Sequence, residues 1–247
     1  MSSSRLNLFW LIIFGLTLPV SVVISTQLAR RSFERVRIRG QTITVKGYAE
    51  RDITSDLATW SAALVSRSPD LTSAYARLEV ERTQLLGYLA GKGFEASSVA
   101  LAPVDIGTLR QRDERGNLTN AIESYVLTQR LSIESGQVES VANAARDVSA
   151  LIGQGIELQA EAPQYLYTAL DDLKLELLAE ATANGHERAV RLVTGSPNRV
   201  GSLRGASQGV FQITPAHSTE VSSTGVNDTS SLRKVTKAVV TLEYAIE

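Results

Sequence analysis

"ITVKGYAERDITSDLATWSAAL" occupies residues 43–64. In its first part Ile43, Val45 and Gly47 alternate with Thr42, Thr44 and Lys46. A period of two is what a strand with one buried face imposes. The run "LATWSAALVS" (57–66) is a second strand candidate. Ser68-Pro69 then reads as a helix start, with Ser68 as N-cap and Pro69 in the first turn. Leu71, Tyr75, Leu78, Leu85 and Leu89 form an apolar stripe at helical spacing, and Gly91-Lys92-Gly93 ends it.

Downstream the two periods keep exchanging. Residues 97–106 are strand-like, and "RQRDERGNLTN" (110–120) is a charged turn or hairpin tip. Residues 121–134 alternate again, with Tyr125, Leu127, Leu131 and Ile133 on one side. Ser135 is placed to cap a second helix with the stripe Val138, Val141, Ala145, Val148 and Ile152, closed by Gly153 and Gly155. A short strand at 156–160 precedes a long helix over about 164–194, with Leu166, Leu170, Leu173, Leu177 and Ala181 on its buried face. Strand-like pieces at 198–213 and a Ser/Thr/Gly/Asn-rich loop at 214–231 lead to a last strand carrying Ala238, Val240, Leu242, Tyr244 and Ile246. The order β-β-α-β-β-α-β-α-β-β predicts an α+β fold: a largely antiparallel β-sheet with three covering helices.

Upstream, "LNLFWLIIFGLTLPVSVVI" (6–24) carries no charge and is long enough to cross a bilayer core as a helix. Residues 1–28 read as an N-terminal membrane anchor or uncleaved signal, 29–40 as a basic juxtamembrane neck, and 41–247 as the main domain. Val23-Ile24-Ser25 is a weak cleavage candidate, which leaves a cleaved signal as the alternative. Residues 1–39 hold six arginines against one glutamate, net +5; the remainder holds 19 Lys/Arg against 25 Asp/Glu, net −6. The acidic main domain is a poor match for nucleic acid, and the basic neck points to membrane lipid as a partner. Five of the arginines follow the apolar segment, which by the positive-inside rule places the main domain in the cytoplasm. With no cysteine, disulfides, thiolate chemistry and Cys-ligated metals are excluded.

Gly205-Ala206-Ser207-Gln208-Gly209 spells G-x-S-x-G, the pattern of a hydrolase nucleophile elbow, and His217 and Asp228 complete the residue types of a triad. An elbow needs a helix directly after the serine and the order Ser, acid, His. Here Val210 to Ile213 alternate like a strand and the histidine precedes the acid. His186 falls half a turn from the long helix's buried face, Asp171-Asp172 suit a helix start, and Glu176 and Glu180 share a solvated face. Gly153-Gln154-Gly155 lacks the third glycine of a dinucleotide site. No catalytic, cofactor-binding or metal-ligating residues are assigned, and no cofactor is expected.

Ile43-Thr44-Val45, Gly47, Ala49, Asp56 and Ala58 match the opening pattern I-T-V-x-G-x-G/A, spacer, P-D-x-A of the SIMPL-domain family, with Ser55 where proline is common. "SPDLTSAYARLEVERTQLLGYLAGKGF" resembles the helix that follows in that family, and "GVNDTSSLRKVTKAVVTLEYAI" its closing loop and strand. The similarity covers about residues 41–247. The family includes periplasmic immunogenic proteins and proteins called oxidative-stress defence proteins; members are typically extracytoplasmic, and some form ring-like homo-oligomers. The resemblance therefore implies a single-pass bacterial inner-membrane protein with a periplasmic main domain, against the arginine count. It further implies a non-enzymatic, self-assembling envelope protein, in envelope or oxidative-stress defence. The alternative is a membrane-tethered ligand- or partner-binding accessory module. Its small-molecule ligand is left open.

Overall fold

The computed structural model describes Thr26, Gln27 and residues 41–247. The expected membrane helix at 6–24, and the neck, lie outside the described residues. Among those described, no helix is long and apolar enough to cross a membrane. Over 41–247 the chain runs β1 (Thr42–Thr54), β2 (Leu57–Ser68), α1 (Leu71–Gly91), β3 (Val99–Leu101), β4 (Asp105–Arg112), β5 (Leu118–Ser135), α2 (Val138–Asp147), β6 (Leu158–Ala160), β7 (Gln164–Leu166), α3 (Leu170–Val193), β8 (Val200–Gln208), β9 (Gln212–Pro215), β10 (Val226–Asn227) and β11 (Arg233–Ile246).

The fold is α+β with three helices, as expected, but its strands form two antiparallel-rich sheets rather than one. The first has the order β3-β5-β2-β6, with β4 on β5 and β7 on β2; the second has β1-β11-β9-β10, with β8 on β11. Only Ser55 and Asp56 separate β1 from β2, yet the two strands enter different sheets. The corner's amides explain this: Ser55 N–H donates to Leu232 O and Asp56 N–H to Leu166 O, so neither closes a hairpin. Alternation marks a strand but not its partner.

Two compact units emerge. One takes the chain up to Ala49, Glu176–Val210 and Ala238–Glu247; the other takes Glu50–Leu175 and Phe211–Lys237. In the second unit β2 pairs with β5 from Ala58↔Ser135 to Ser68↔Tyr125. Trp60, Leu64, Leu127, Leu131 and Ile133 from this pair pack with Leu78, Leu85 and Leu89 of α1 and Val141 of α2 into one core. The N-cap of α1 is Asp70, not Ser68: Asp70 Oδ2 accepts from Ser73 N–H at 2.7 Å, and Ser68 Oγ accepts from Asp70 N–H. The buried stripe of α1 is Ala74, Leu78, Glu81, Leu85 and Leu89, while Leu71 and Tyr75 are exposed. Glu81 escaped the apolar count because its burial depends on Arg77, which donates to it at 2.7 Å. Gly93, at φ 93°, closes the helix with Phe94 N–H on Leu89 O and Gly93 N–H on Ala90 O, as a Schellman motif.

The second helix starts at Val138, not at Ser135, whose Oγ accepts from Gln137 N–H. It tightens to a 3-10 turn over Val148–Gln154 and ends at Gly155, φ 90°. The tighter turn moves the buried position from Ile152 to Leu151, three residues after Val148; Ala144, within the regular helix, is buried as well. The long helix begins at Leu170, because residues 164–166 pair with β2 as β7. Residues 118–124 of β5 extend beyond the reach of β2, and their pairing is with β4. This two-stranded ribbon is turned by Asp113, whose Oδ1 accepts from the Arg115 and Asn117 amides, with Gly116 at φ 83°.

In the first unit, the later part of β11 pairs with β8, with Ser207 opposite Thr241. Val240 and Leu242 of β11, Val45 of β1, and Leu177, Ala181 and Ala189 of α3 are buried. Strand and helix approach closely at two glycines. A Cβ on Gly47 would lie 1.9 Å from Ala181 O, and one on Gly185 would lie 3.2 Å from Gly47 Cα. On either side of Gly47, Tyr48 N–H donates to Asn184 Oδ1 and Arg188 donates to Lys46 O. Helix side chains thus satisfy backbone groups of β1, a means of blunting a sheet edge.

Candidate functional site

The corner after β1 and the start of β11 form the wall of two cavities in the second unit. One, of about 320 Å³, is lined by Asp52, Ile53, Thr54, Ala216, His217, Arg233 and Lys234. The other, of about 440 Å³, is lined by Thr54, Ser55, Leu232 and the first residues of α2 with Gly136 and Gln137 before them. Thr54 lines both.

His217 enters the smaller cavity from a tight turn, in which Ser218 N–H donates to Pro215 O at 3.0 Å. Its φ of 67° places a non-glycine residue in the left-handed region, which costs free energy and concentrates at functional positions. Behind it the loop is anchored by Gln212, which donates to Ser222 O at 2.7 Å, and by Lys237, which donates to Ser218 O at 3.1 Å. Lys234 is 3% exposed and donates to Tyr165 O at 2.5 Å. Burial pulls its ammonium below the ordinary lysine range, against the opposing pull of Asp228. For Asp228, burial raises the carboxyl, but hydrogen bonds from Ser230 and Ser231 with the charge of Lys234 outweigh it and hold the carboxyl low.

At the second cavity the N-cap of α2, Gln137, makes no side-chain capping bond. The first amides of a helix have no intrahelical acceptor and carry the positive end of its dipole. Ser55 is 4% exposed, and its Oγ has no hydrogen-bond partner. Beside it the Asp56 carboxylate accepts from Thr168 N–H at 2.8 Å and Thr168 Oγ1 at 2.7 Å. Burial raises the Asp56 carboxyl, and these two bonds together bring it below its ordinary range.

The residues of the G-x-S-x-G pattern are placed plainly. Ser207 is an exposed residue inside β8, which runs on to Gln208, so no strand–turn–helix elbow forms there. Asp228 bonds Ser230, and its own N–H donates to Ile213 O. His186 is exposed, and its ring meets Tyr244 edge-on at 5.3 Å. Among the described residues no group of three or more His, Asp or Glu is placed to hold a metal ion. Of the cavity-lining residues the sequence singled out His217, as a triad type, and Ser55 and Val138, but did not bring them together as a site. The uncapped start of α2 at Gln137 was hidden by Ser135, which reads as a cap in the sequence but bonds the Gln137 amide instead.

A family model, SIMPL, described as a protein of unknown function (DUF541), matches residues 43–243. The chain belongs to the SIMPL family. No curated protein matches it. The SIMPL motif residues acquire physical roles here. Gly47 admits the α3 backbone, Asp56 fastens the corner to Thr168, and Ala58 sits fully buried in the core. Ser55 supplies an N–H to Leu232 O that a proline would lack.

Proposed function

We propose that this SIMPL protein is a non-enzymatic envelope protein of the bacterial inner membrane, anchored by residues 6–24 with its main domain in the periplasm, that works by assembling with copies of itself in envelope or oxidative-stress defence. The observation that carries assembly is the β4–β5 ribbon. It exposes Leu118 at 61%, and Leu109 and Ile122. A two-stranded ribbon with both faces in water is marginal on its own, and its open edges invite pairing. Its tip carries Arg110, Arg112 and Arg115 with Asp113 and Glu114, so a second copy offers both charge signs in return. Tethering to one membrane raises local concentration and favours weak contacts of this kind.

The test is the mass of the full-length protein in mild detergent, by native mass spectrometry or light scattering. A multiple of the chain mass is expected. A particle that stays monomeric over a wide concentration range overturns assembly. Deleting 111–119 weakens the assembly and leaves the monomer folded; an assembly indifferent to the deletion removes the ribbon from the interface. A second reading, a membrane-tethered ligand-binding module, is favoured by the two cavities at the β1–β2 corner, which have the size and mixed lining of small-molecule sites.

A further inference from the structure

We infer that the cavity between the end of β1 and the turn at His217 binds a small α-amino acid, its carboxylate on Arg233 and its ammonium on Asp52. This deepens the second reading and is independent of assembly. Three observations converge. Asp52 and Arg233 are exposed, carry opposite charges and line one cavity. Each alternates with a buried strand neighbour, Ile53 and Lys234, which sends its side chain to the open side. Yet the two do not bridge each other, and neither side chain has a hydrogen bond or ion pair among the described residues. Opposite charges held apart on one wall leave a place for a ligand that carries both. Second, His217 lines the same cavity from the left-handed region, φ 67°, and Ala216 N–H donates to Arg233 O at 3.3 Å, which docks this turn beside Arg233. Backbone strain of this kind concentrates at ligand clamps. Third, the cavity holds about 320 Å³, at the small end of ligand sites, and Ala216 on its wall suits a short side chain.

The charge balance selects the ligand. Lys234 also lines the cavity, but it is buried and its Nζ is committed to Tyr165 O. Among the described residues that leaves Arg233 and Asp52 as the uncommitted charges. A simple carboxylate gains Arg233 and is repelled by Asp52; a simple amine meets the reverse; a zwitterion gains both. The planar guanidinium offers a two-pronged donor edge that fits a carboxylate. An ammonium donates several hydrogen bonds, for which the Asp52 carboxylate and the Thr54 hydroxyl are acceptors on the same wall. The His217 imidazole, which both donates and accepts, supplies a further contact that fixes orientation.

Titration of the full-length chain in mild detergent, followed by ligand-observed saturation-transfer NMR at equal ionic strength, tests this with L-alanine, propionate and ethylamine. Alanine is expected to bind saturably at millimolar concentration. Each analogue, lacking one of the two charges, should bind roughly tenfold more weakly, the worth of one charge-assisted hydrogen bond. Arg233→Gln should make alanine no better than ethylamine, and Asp52→Asn should make it no better than propionate. This crossed pattern separates recognition from a general loss of structure. His217→Gly relieves the strained backbone and should weaken alanine with the Tm retained. Absence of saturable alanine binding overturns the inference. So does propionate or ethylamine binding as well as alanine, or an alanine response that neither charge variant changes. Tighter binding of glycerophosphoethanolamine, a lipid headgroup with the same two charges, moves the site to the membrane surface and overturns the amino-acid assignment. A chain that assembles yet binds no alanine loses this site and keeps the assembly reading; the second reading then rests on the other cavity.

Discussion

Gly47 shows how one residue fixes an approach between elements. Its missing Cβ is what lets β1 lie on the α3 backbone, and Gly185 completes the contact at the cost of about 1 kcal/mol of helix propensity. Gly47→Ala drives a methyl into Ala181 O, a backbone atom that no rotamer change moves away. The expected loss is about 3 kcal/mol, or a Tm lowered by about 6 °C or more, read by thermal unfolding. Asp56 acts through charge. Its carboxyl is held low in the fold, so its contribution is complete at neutral pH and is lost as pH falls through the depressed value. Asp56→Asn should cost under about 1 kcal/mol at neutral pH, because the group is largely exposed and screened. The difference between wild type and variant should vanish in acid below the ordinary carboxylate range. A gap that persists there assigns the role of Asp56 to shape rather than charge.

Among the elements, the β4–β5 ribbon stands apart. β2 buries a face of the second unit's core with Trp60 and Leu64; the distal ribbon buries almost nothing. Register shifts between Leu109 and Arg112 mark bulges in its pairing, which add twist. Its apolar residues therefore contribute little to the monomer's stability. The double variant Leu118→Ser, Ile122→Ser should leave the Tm within about 4 °C, since each exposed substitution shifts stability by roughly 0.5 kcal/mol at most. The same variant should lower the assembled fraction in detergent. An unchanged mass distribution places the interface elsewhere.

For the whole molecule the open quantity is orientation, which the arginine-rich neck and the family resemblance assign oppositely. A long domain can be translocated despite flanking positive charge, so the periplasmic assignment is physically consistent. A phosphatase fused to the C-terminus, active only outside the cytoplasm, should be active, and mass spectrometry of the extracted protein should find the 6–24 peptide. An inactive phosphatase beside an active cytoplasmic reporter reverses the orientation. A mature chain starting at Thr26 or later removes the anchor.

The sequence by itself determined the kinds of element and most of their buried faces. Leu127, Leu131 and Ile133, and Ala238, Val240, Leu242 and Tyr244, are buried as their alternation requires, because side-chain direction follows local backbone period. The caps each shifted by two residues, to Asp70, whose carboxylate reaches the Ser73 amide, and to Gln137, which caps without its side chain. The allotment of strands to two sheets was decided only in three dimensions. Ser55 and Asp56 find their backbone partners at Leu232 and Leu166, more than a hundred residues away. The cavities arose the same way: no local pattern records that Thr54, Leu232 and the start of α2 face one space, because what joins them is packing and not spacing along the chain.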